Sequence, residues 1–597
     1  MDYTYSEIQG ILNKLDNQGL PDLTIAILRN IMIEPIEPFL RYFANEMGFN
    51  GSIHFGEYDN IFQEAIATDN ELITNNTDII CIFMKLEPLS WLLSRDYTGA
   101  TTEQIESEVN RIKEYTGAII ASIRKKTSGT ILWHSFEIPS YPAFGIWDNQ
   151  IPGGQLSKLI DLNKYLMTEL RNQDNAYLVD LNLCLARLGI KRFYDQRYWH
   201  IARAPFSREA LFEIATEDFK FIRSLKGKNK KCLVLDCDNI LWGGIIGEDG
   251  LEGIKLGKEY PGSPYVEFQQ EVLNLFNRGI IIALSSKNNE DDVWQVFKNH
   301  PDMVLKEKHI AIAQLNWNDK AANLKQISSY LNISLDSMVF IDDSEFEVNL
   351  IREFLPEVRA IHFPSKDAVH FRDMLASCGL FDSLNLSEED KKRGSMYKAE
   401  AGRKKLMSES TDMINYYTSL EMVIEIHFAD NFSIPRIAQL TQRTNQFNLT
   451  TRRYSESDIK NYAANDNVEV IYLRLKDRFG DSGITGCCIL KYGGEMTIID
   501  TFLLSCRILG RGVEDAFLIQ ILKLAKKRGS KIVVGEYCAT RKNSQVELFF
   551  AQRGFAEIPT ITSLTGKCFQ YELQEEIKGE PDYFKQIISE VDRNEEC

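Results

Sequence analysis

Apolar residues fall along this chain in two rhythms. Continuous runs bounded by polar or turn-forming residues, LTIAIL (Leu23–Leu28), DIICIFMKL (Asp78–Leu86) and GTILWHSFEIP (Gly129–Pro139), predict strands buried on both faces. Between them, IEPIEPFLRYFANEMG and ATTEQIESEVNRIKEYTGAIIASIRKK carry the three-and-four spacing of amphipathic helices. Strand alternating with helix predicts a doubly wound α/β domain over residues 1–220.

The same alternation returns over 221–385, where CLVLDCD, GIIIALSSK and SMVFIDDSE read as strands that each end in polar residues and lead into helix-forming sequence. In 386–597 the order changes. A charged helical linker, SEEDKKRGSMYKAEAGRKK, is followed by a meander of strands in EVIYLRLKDRFGDSGITGCCILKYGGEMTIIDTFLLS. Next come an amphipathic helix in VEDAFLIQILKLAKKRG and a strand in SKIVVGEY, an α+β pattern. The acidic tail KGEPDYFKQIISEVDRNEEC is expected to fray.

Length agrees with several cores: 597 residues is too many for one, at about 100–200 residues per domain. The formal charge of -17 argues against nucleic acid and anionic membrane surfaces as general partners. Lys391–Arg393 and Arg452–Arg453 are the local basic candidates, read first as solvated faces. Eleven cysteines without a CxxC pair form neither a disulfide framework nor a zinc site. MDYTYSEIQG is no signal peptide, and no segment reaches the roughly 20 apolar residues of a membrane span. A reducing, cytoplasmic compartment is expected.

The chemistry gathers at the strand ends of the middle region. In open parallel sheets the site lies beyond the carboxyl ends of the strands, so Asp236 and Asp238, Ser286, and Asp342–Asp343 should converge there, with Lys320 from a nearby loop. Hard carboxylate oxygens suit Mg²⁺ bound together with a substrate phosphate. A carboxylate can also attack phosphorus, while a lysine and a hydroxyl hold phosphoryl oxygens.

DCDNILWGG, ALSSKN, NWNDK and VFIDDSEFE, in that order, resemble the haloacid-dehalogenase (HAD) superfamily, closest to its FkbH-like branch, subfamily IIIC. The resemblance implies Asp236 as nucleophile, Asp238 as general acid and base, and Ser286 and Lys320 as phosphate-binding residues. It implies a Mg²⁺ site of Asp236, the main-chain carbonyl of Asp238, Asp342 and Asp343. Ile240 stands where the superfamily usually has Thr or Val. About fifty residues separate Asp236 from Ser286, too few for a cap domain when α/β loops are short, so an open site is expected.

RIAQLTQRTNQFNLTTRRYSESDI and DTFLLSCRILGRGVE also resemble the FkbH-like signature. In the second, Arg507, Gly510 and Gly512 form R-x-x-G-x-G between a strand and a helix, similar to the pyrophosphate loop of the GNAT acyltransferase fold, and NSQVELFFAQRGF resembles a later GNAT motif. The resemblance implies a seat for phosphopantetheine or coenzyme A, or a relic of one. The first region is similar to the SGNH-hydrolase-like domain that precedes such modules. A serine is missing after LTIAIL, where Arg29–Asn30 follow, and Asp195 and His200 have no nucleophile to serve, so a scaffold is expected.

FkbH-like proteins imply a function: removing phosphate from a donor such as 1,3-bisphosphoglycerate and loading a glyceryl group onto an acyl carrier protein. Where a relay cysteine is expected this chain has Ser285, and Cys237 lies beside the nucleophile. Two rival readings stand beside it: a Mg²⁺ phosphatase or phosphatase–acyltransferase in sugar or surface-polysaccharide synthesis, and a non-enzymatic carrier-docking scaffold.

Overall fold

The computed structural model describes residues 5–14, 19–68, 71–385, 403, 412–505, 508–540, 542–559, 564, 566–574, 577, 579 and 581–590. The chain divides into two compact units, Met1–Arg223 and Ser224–Cys597.

In the first unit five parallel strands, β1 (Asp22–Arg29), β2 (Asn50–Phe55), β3 (Ile79–Phe83), β4 (Thr130–His134) and β5 (Ala176–Val179), lie in the order β2-β1-β3-β4-β5. Every residue of β3 and β4 is buried, as continuous apolar runs predict. Both strands end sooner than their sequences suggest. Side chains take over the backbone there: the Lys85 N–H donates to Asn30 Oδ1 (2.7 Å) and the Phe136 N–H to Asn163 Oδ1 (2.8 Å). The helix Thr102–Lys126 covers one face and starts at a capping box of Thr101 and Gln104.

The second unit holds two sheets. The first is parallel, β6 (Cys232–Leu235), β7 (Ile281–Ser286), β8 (Ile310–Leu315), β9 (Met338–Asp342) and β10 (Arg359–His362), ordered β10-β9-β6-β7-β8. Apolar clusters cover both its faces, one around Phe268, Val272 and Phe363, the other around Leu324, Val348 and Ile351. β6 is central, and its register sets Leu235 opposite both Ile341 and Leu284. The carboxyl ends of β6, β7 and β9 are therefore level.

The other sheet has eight strands: β11 (Val423–Phe428), β12 (Val468–Asp477), β13 (Gly480–Gly493), β14 (Met496–Leu504), β15 (Ile532–Tyr537), β16 (Ala556–Ile558), β17 (Lys567–Glu572) and β18 (Gln586–Ser589). β11 to β14 are the antiparallel meander; the helix Val513–Lys527 then returns the chain to place β15 parallel to β14. The tail corrects an expectation. In its described part, instead of fraying, Gln586–Ser589 pairs in parallel with β11, and Tyr583, Phe584 and Ile587 pack on the core, while 591–597 lie outside the described residues. The flanking acidic residues mask this short apolar segment in composition. Most of the linker lies outside the described residues, as do Lys391–Arg393; Arg403 is described and its guanidinium bonds Asp477 (2.6 and 2.9 Å). No helix among the described residues is long and apolar enough to cross a membrane.

Candidate active site and metal centre

β6 stops at Leu235, and the chain turns into the carboxyl end of the sheet. The Asp236 N–H still donates to Ile341 O (3.0 Å), which keeps Asp236 beside the end of β9. Lys320 opens the helix Lys320–Leu331, N-capped by Asp319. Its ammonium lies 2.5 Å from Asp342 Oδ2 and 3.2 Å from Asp236 Oδ1, and all three side chains are nearly or wholly buried. Carboxylate oxygens of Asp236, Asp342 and Asp343 all fall within 4.8 Å of one another.

Three carboxylates against one ammonium leave the cluster anionic in a poorly solvated place. Burial, and next the Asp236 charge, raise the Asp342 carboxyl to about 7 despite Lys320. Burial and Asp236 raise Asp343 as well, against the Asn239 amide and Lys320. Burial works against the Lys320 ammonium, but Asp236 and Asp342 outweigh it and raise its pKa. This is a donor set short of positive charge. Hard, convergent oxygens fit Mg²⁺, with Asp236, Asp342 and Asp343 as the side chains that would hold it.

Asp238 is placed differently. On an extended strand it would share a side with Asp236, but the strand has ended, and Asn239 takes a left-handed φ of 56°. The Asp238 carboxylate instead accepts from Trp242 Nε1 (2.9 Å), the Ile246 N–H (3.1 Å) and Asn288 Nδ2 (3.0 Å). Burial raises its pKa, and these donors oppose the rise. Its side chain is not among the three clustered carboxylates, so the implied metal contact rests on its main-chain carbonyl alone. Gly243 and Gly244 shape the same turn. A Cβ on Gly243 would press on Tyr265; Gly244, at φ 96°, passes against Asp249 and donates its N–H to Asn239 Oδ1 (2.9 Å).

Ser286, rather than its neighbour, faces this group: its Oγ accepts from Asn288 Nδ2 (3.0 Å), while Ser285 Oγ is buried with no partner among the described residues. Asn288 thus ties Ser286 to Asp238. The sequence reading passed over it, although it stands in the polar run closing ALSSKN. Cys237 belongs to the core, and burial, with Asp236 nearby, pushes its thiol far up. Ile240 is buried there too. A flap with the helix Ile246–Gly253, and then the helix Ser263–Asn277, fill the span before β7 without a separate cap domain.

Residues 25–222 match the family model described as FkbH, N-terminal domain. A solved structure from Bacteroides fragilis, the N-terminal part of a protein containing a phosphatase domain and complexed with Mg, is 28% identical; the match covers 64% of this chain and 100% of that one, with a TM-score of 0.58. Two acetyltransferase structures match as well. The ribosomal-protein-S18-alanine N-acetyltransferase of Escherichia coli is 16% identical, covering 27% of this chain and 99% of its own (TM-score 0.20). An N-acetyltransferase of Thermoplasma acidophilum in complex with coenzyme A is 17% identical, covering 25% and 98% (TM-score 0.19). No curated protein matches the chain.

Within residues 25–222 the sequence candidates do not assemble a hydrolase. Asp195 caps the helix Gln196–Ala202, accepting the Tyr198 N–H (3.0 Å), and His200 is exposed. Asn30 is spent on the Lys85 backbone. A buried His134–Asp218 pair (2.9 Å) joins β4 to the helix Arg208–Leu225. Cys184, Glu213 and Glu217 cluster, but Arg187 bonds all three.

In the eight-stranded sheet Gly510 and Gly512 both hold φ 72°, and Arg507 lies outside the described residues. Arg452 is half-buried and pairs with Asp500 and Glu536, while Arg453 is exposed and donates to the carbonyls of Thr441 and Thr444.

Proposed function

We propose that this protein is a Mg²⁺-dependent phosphatase of the HAD type, with Asp236 as its nucleophile. The observation that carries this reading is the convergence of Asp236, Asp342 and Asp343 around a space bounded by Lys320. The phosphatase domain complexed with Mg in the Bacteroides fragilis relative supports it.

An Asp236 carboxylate oxygen attacks phosphorus, forming an aspartyl-phosphate as the bond to the leaving oxygen breaks. Asp238, whose raised pKa favours carrying a proton, delivers it to that oxygen. It then takes a proton from water, which attacks the same phosphorus; the P–O bond of the acyl phosphate breaks, the Asp236 carboxylate leaves and inorganic phosphate is freed. Lys320 holds Asp236 and Asp342 in place and offers positive charge to the phosphoryl oxygens; the Ser286 hydroxyl donates to one of them. When bound, Mg²⁺ supplies charge neutralisation on the transferring group.

The finer reading follows the FkbH-like resemblance: the donor is a glyceryl phosphate such as 1,3-bisphosphoglycerate, and the glyceryl group passes to the thiol of an acyl carrier protein. Cys237, sealed in the core, is poorly placed as a relay, so the accepting thiol on this reading is the carrier's own. The absence of a separate cap domain suits a substrate borne on another protein. The test is mass spectrometry of a carrier protein incubated with 1,3-bisphosphoglycerate, Mg²⁺ and this protein. A mass gain of one glyceryl is expected. Phosphate release without it would reduce the function to the phosphatase, and neither product would remove both.

A further inference from the structure

Two stretches, RTNQFNLTTRRY, which resembles the FkbH-like signature, and NSQVELFFAQRGF, which resembles a later GNAT motif, play no part at Asp236. They meet in the eight-stranded sheet. β14 and β15 pair in parallel from Met496 opposite Ile532 to Ile499 opposite Gly535, and the ladder stops there. Beyond that point Asp500–Leu504 and Glu536–Cys538 no longer pair with each other. A gap between two such edges is a seat for an extended ligand that adds its own amides to them. The arm of coenzyme A has that form, and its pyrophosphate would fall at the N-terminus of the following helix, Val513–Lys527.

The gap is filled by the chain's own backbone. Phe447 O accepts from the Leu504 N–H (3.0 Å), the Leu449 N–H donates to Phe502 O (3.2 Å), and Leu449 O accepts from the Cys538 N–H (2.8 Å). Asn448 bridges antiparallel to Leu503. Thr450 Oγ1 donates to Asp500 O (2.9 Å), and Arg452 spans the gap to Asp500 Oδ1 (3.1 Å) and Glu536 Oε2 (2.6 Å). Asn543, wholly buried, pins the inserted segment: its Nδ2 donates to Asn448 O and to Cys538 O, each at 2.9 Å.

The pyrophosphate end is occupied too. The Tyr417 hydroxyl donates to Gly510 O (2.7 Å) and the Tyr583 hydroxyl to Arg511 O (3.2 Å), and a Cβ on Gly512 would overlap that Tyr583 hydroxyl. The Glu514 carboxyl occupies the first turn of the helix; burial raises its pKa, against the backbone N–H groups of Glu514 itself and of Gly510. The whole region is fastened to the parallel sheet's side of the unit, with Lys542 paired to Asp336 and Lys231 Nζ donating to Arg443 O (3.0 Å).

We infer that residues 447–450 are a built-in strand closing the cofactor slot of this sheet, so that the acyltransferase-like region binds neither coenzyme A nor a carrier's phosphopantetheine arm and serves as a fixed buttress of the unit. The inference stands on this sheet alone and does not depend on the chemistry at Asp236. The test uses the full chain with coenzyme A and acetyl-coenzyme A at millimolar concentration, read by calorimetry and by hydrogen exchange of peptides covering 447–450, 502–504 and 536–538. Expected are no binding heat and slow exchange in all three peptides, unchanged by either compound. Saturable binding, with exchange in these peptides altered by the cofactor, would overturn the inference.

Discussion

The Lys320 ammonium lies 2.5 Å from Asp342 Oδ2, and both side chains are buried. This pair joins the start of one helix to the end of the strand beside the central one, and Lys320 also pairs with Asp236, so that one ammonium serves two of the three clustered acids. Replacing Lys320 with Met leaves buried carboxylates uncompensated, a loss of about 3–5 kcal/mol when one partner of a buried pair is removed. Denaturant unfolding without metal should show that loss. Added Mg²⁺ should stabilise the variant more than the parent, since the ion then supplies the missing charge.

Asp236→Asn keeps the shape of the side chain and removes the attacking oxygen's charge. Phosphate release should fall by at least about 10³-fold, as when a nucleophile is deleted from a catalytic unit. The unfolding midpoint should stay close to that of the parent. Normal turnover by this variant would end the assignment of the nucleophile.

Mg²⁺ should stabilise the fold as well as permit turnover, by about 2.7 kcal/mol at a hundred times its dissociation constant. EDTA should abolish phosphate release, and Mg²⁺ should restore it. The pH dependence has a definite sign. Without metal, Asp342 is raised to about 7, so its contribution to stability is fully present below the ordinary carboxylate range and is lost as pH rises through about 7. Asp343 is raised in the same direction. The thermal shift produced by Mg²⁺ should therefore grow from pH 5 to pH 8, and a flat profile would contradict the cluster.

Asn288 donates to both Asp238 and Ser286 and touches no clustered carboxylate. Asn288→Ala should lower kcat about ten- to a hundredfold, the usual cost of losing a supporting hydrogen bond around a site. Metal-induced stabilisation should be nearly unchanged. Steady-state kinetics beside a Mg²⁺ melt would separate this from a general loss of structure.

Much of the site was legible before the fold, because parallel strands that end in acids and a hydroxyl must present them at one edge of a sheet. That argument places Asp236, Ser286, Asp342 and Asp343 together, and the loop before the next helix adds Lys320. Asn288 and Trp242 were not legible in this way, because their contacts with Asp238 depend on how the chain turns after Leu235, which spacing alone does not encode. The tail was misread for a similar reason: its acidic flanks dominate composition, whereas β11 offers an edge to which the short run around Ile587 can pair.

The sequence by itself determined the alternation of strands and helices and the chemical types placed at the strand ends, since these follow from local periodicity. Only the tertiary structure decided which carboxylates share a space, that the Asp238 carboxylate stands beside that cluster bonded to Asn288, and that residues 447–450 lie between β14 and β15. Those are contacts between residues tens of positions apart, set by register and packing, and no local pattern of the chain carries them.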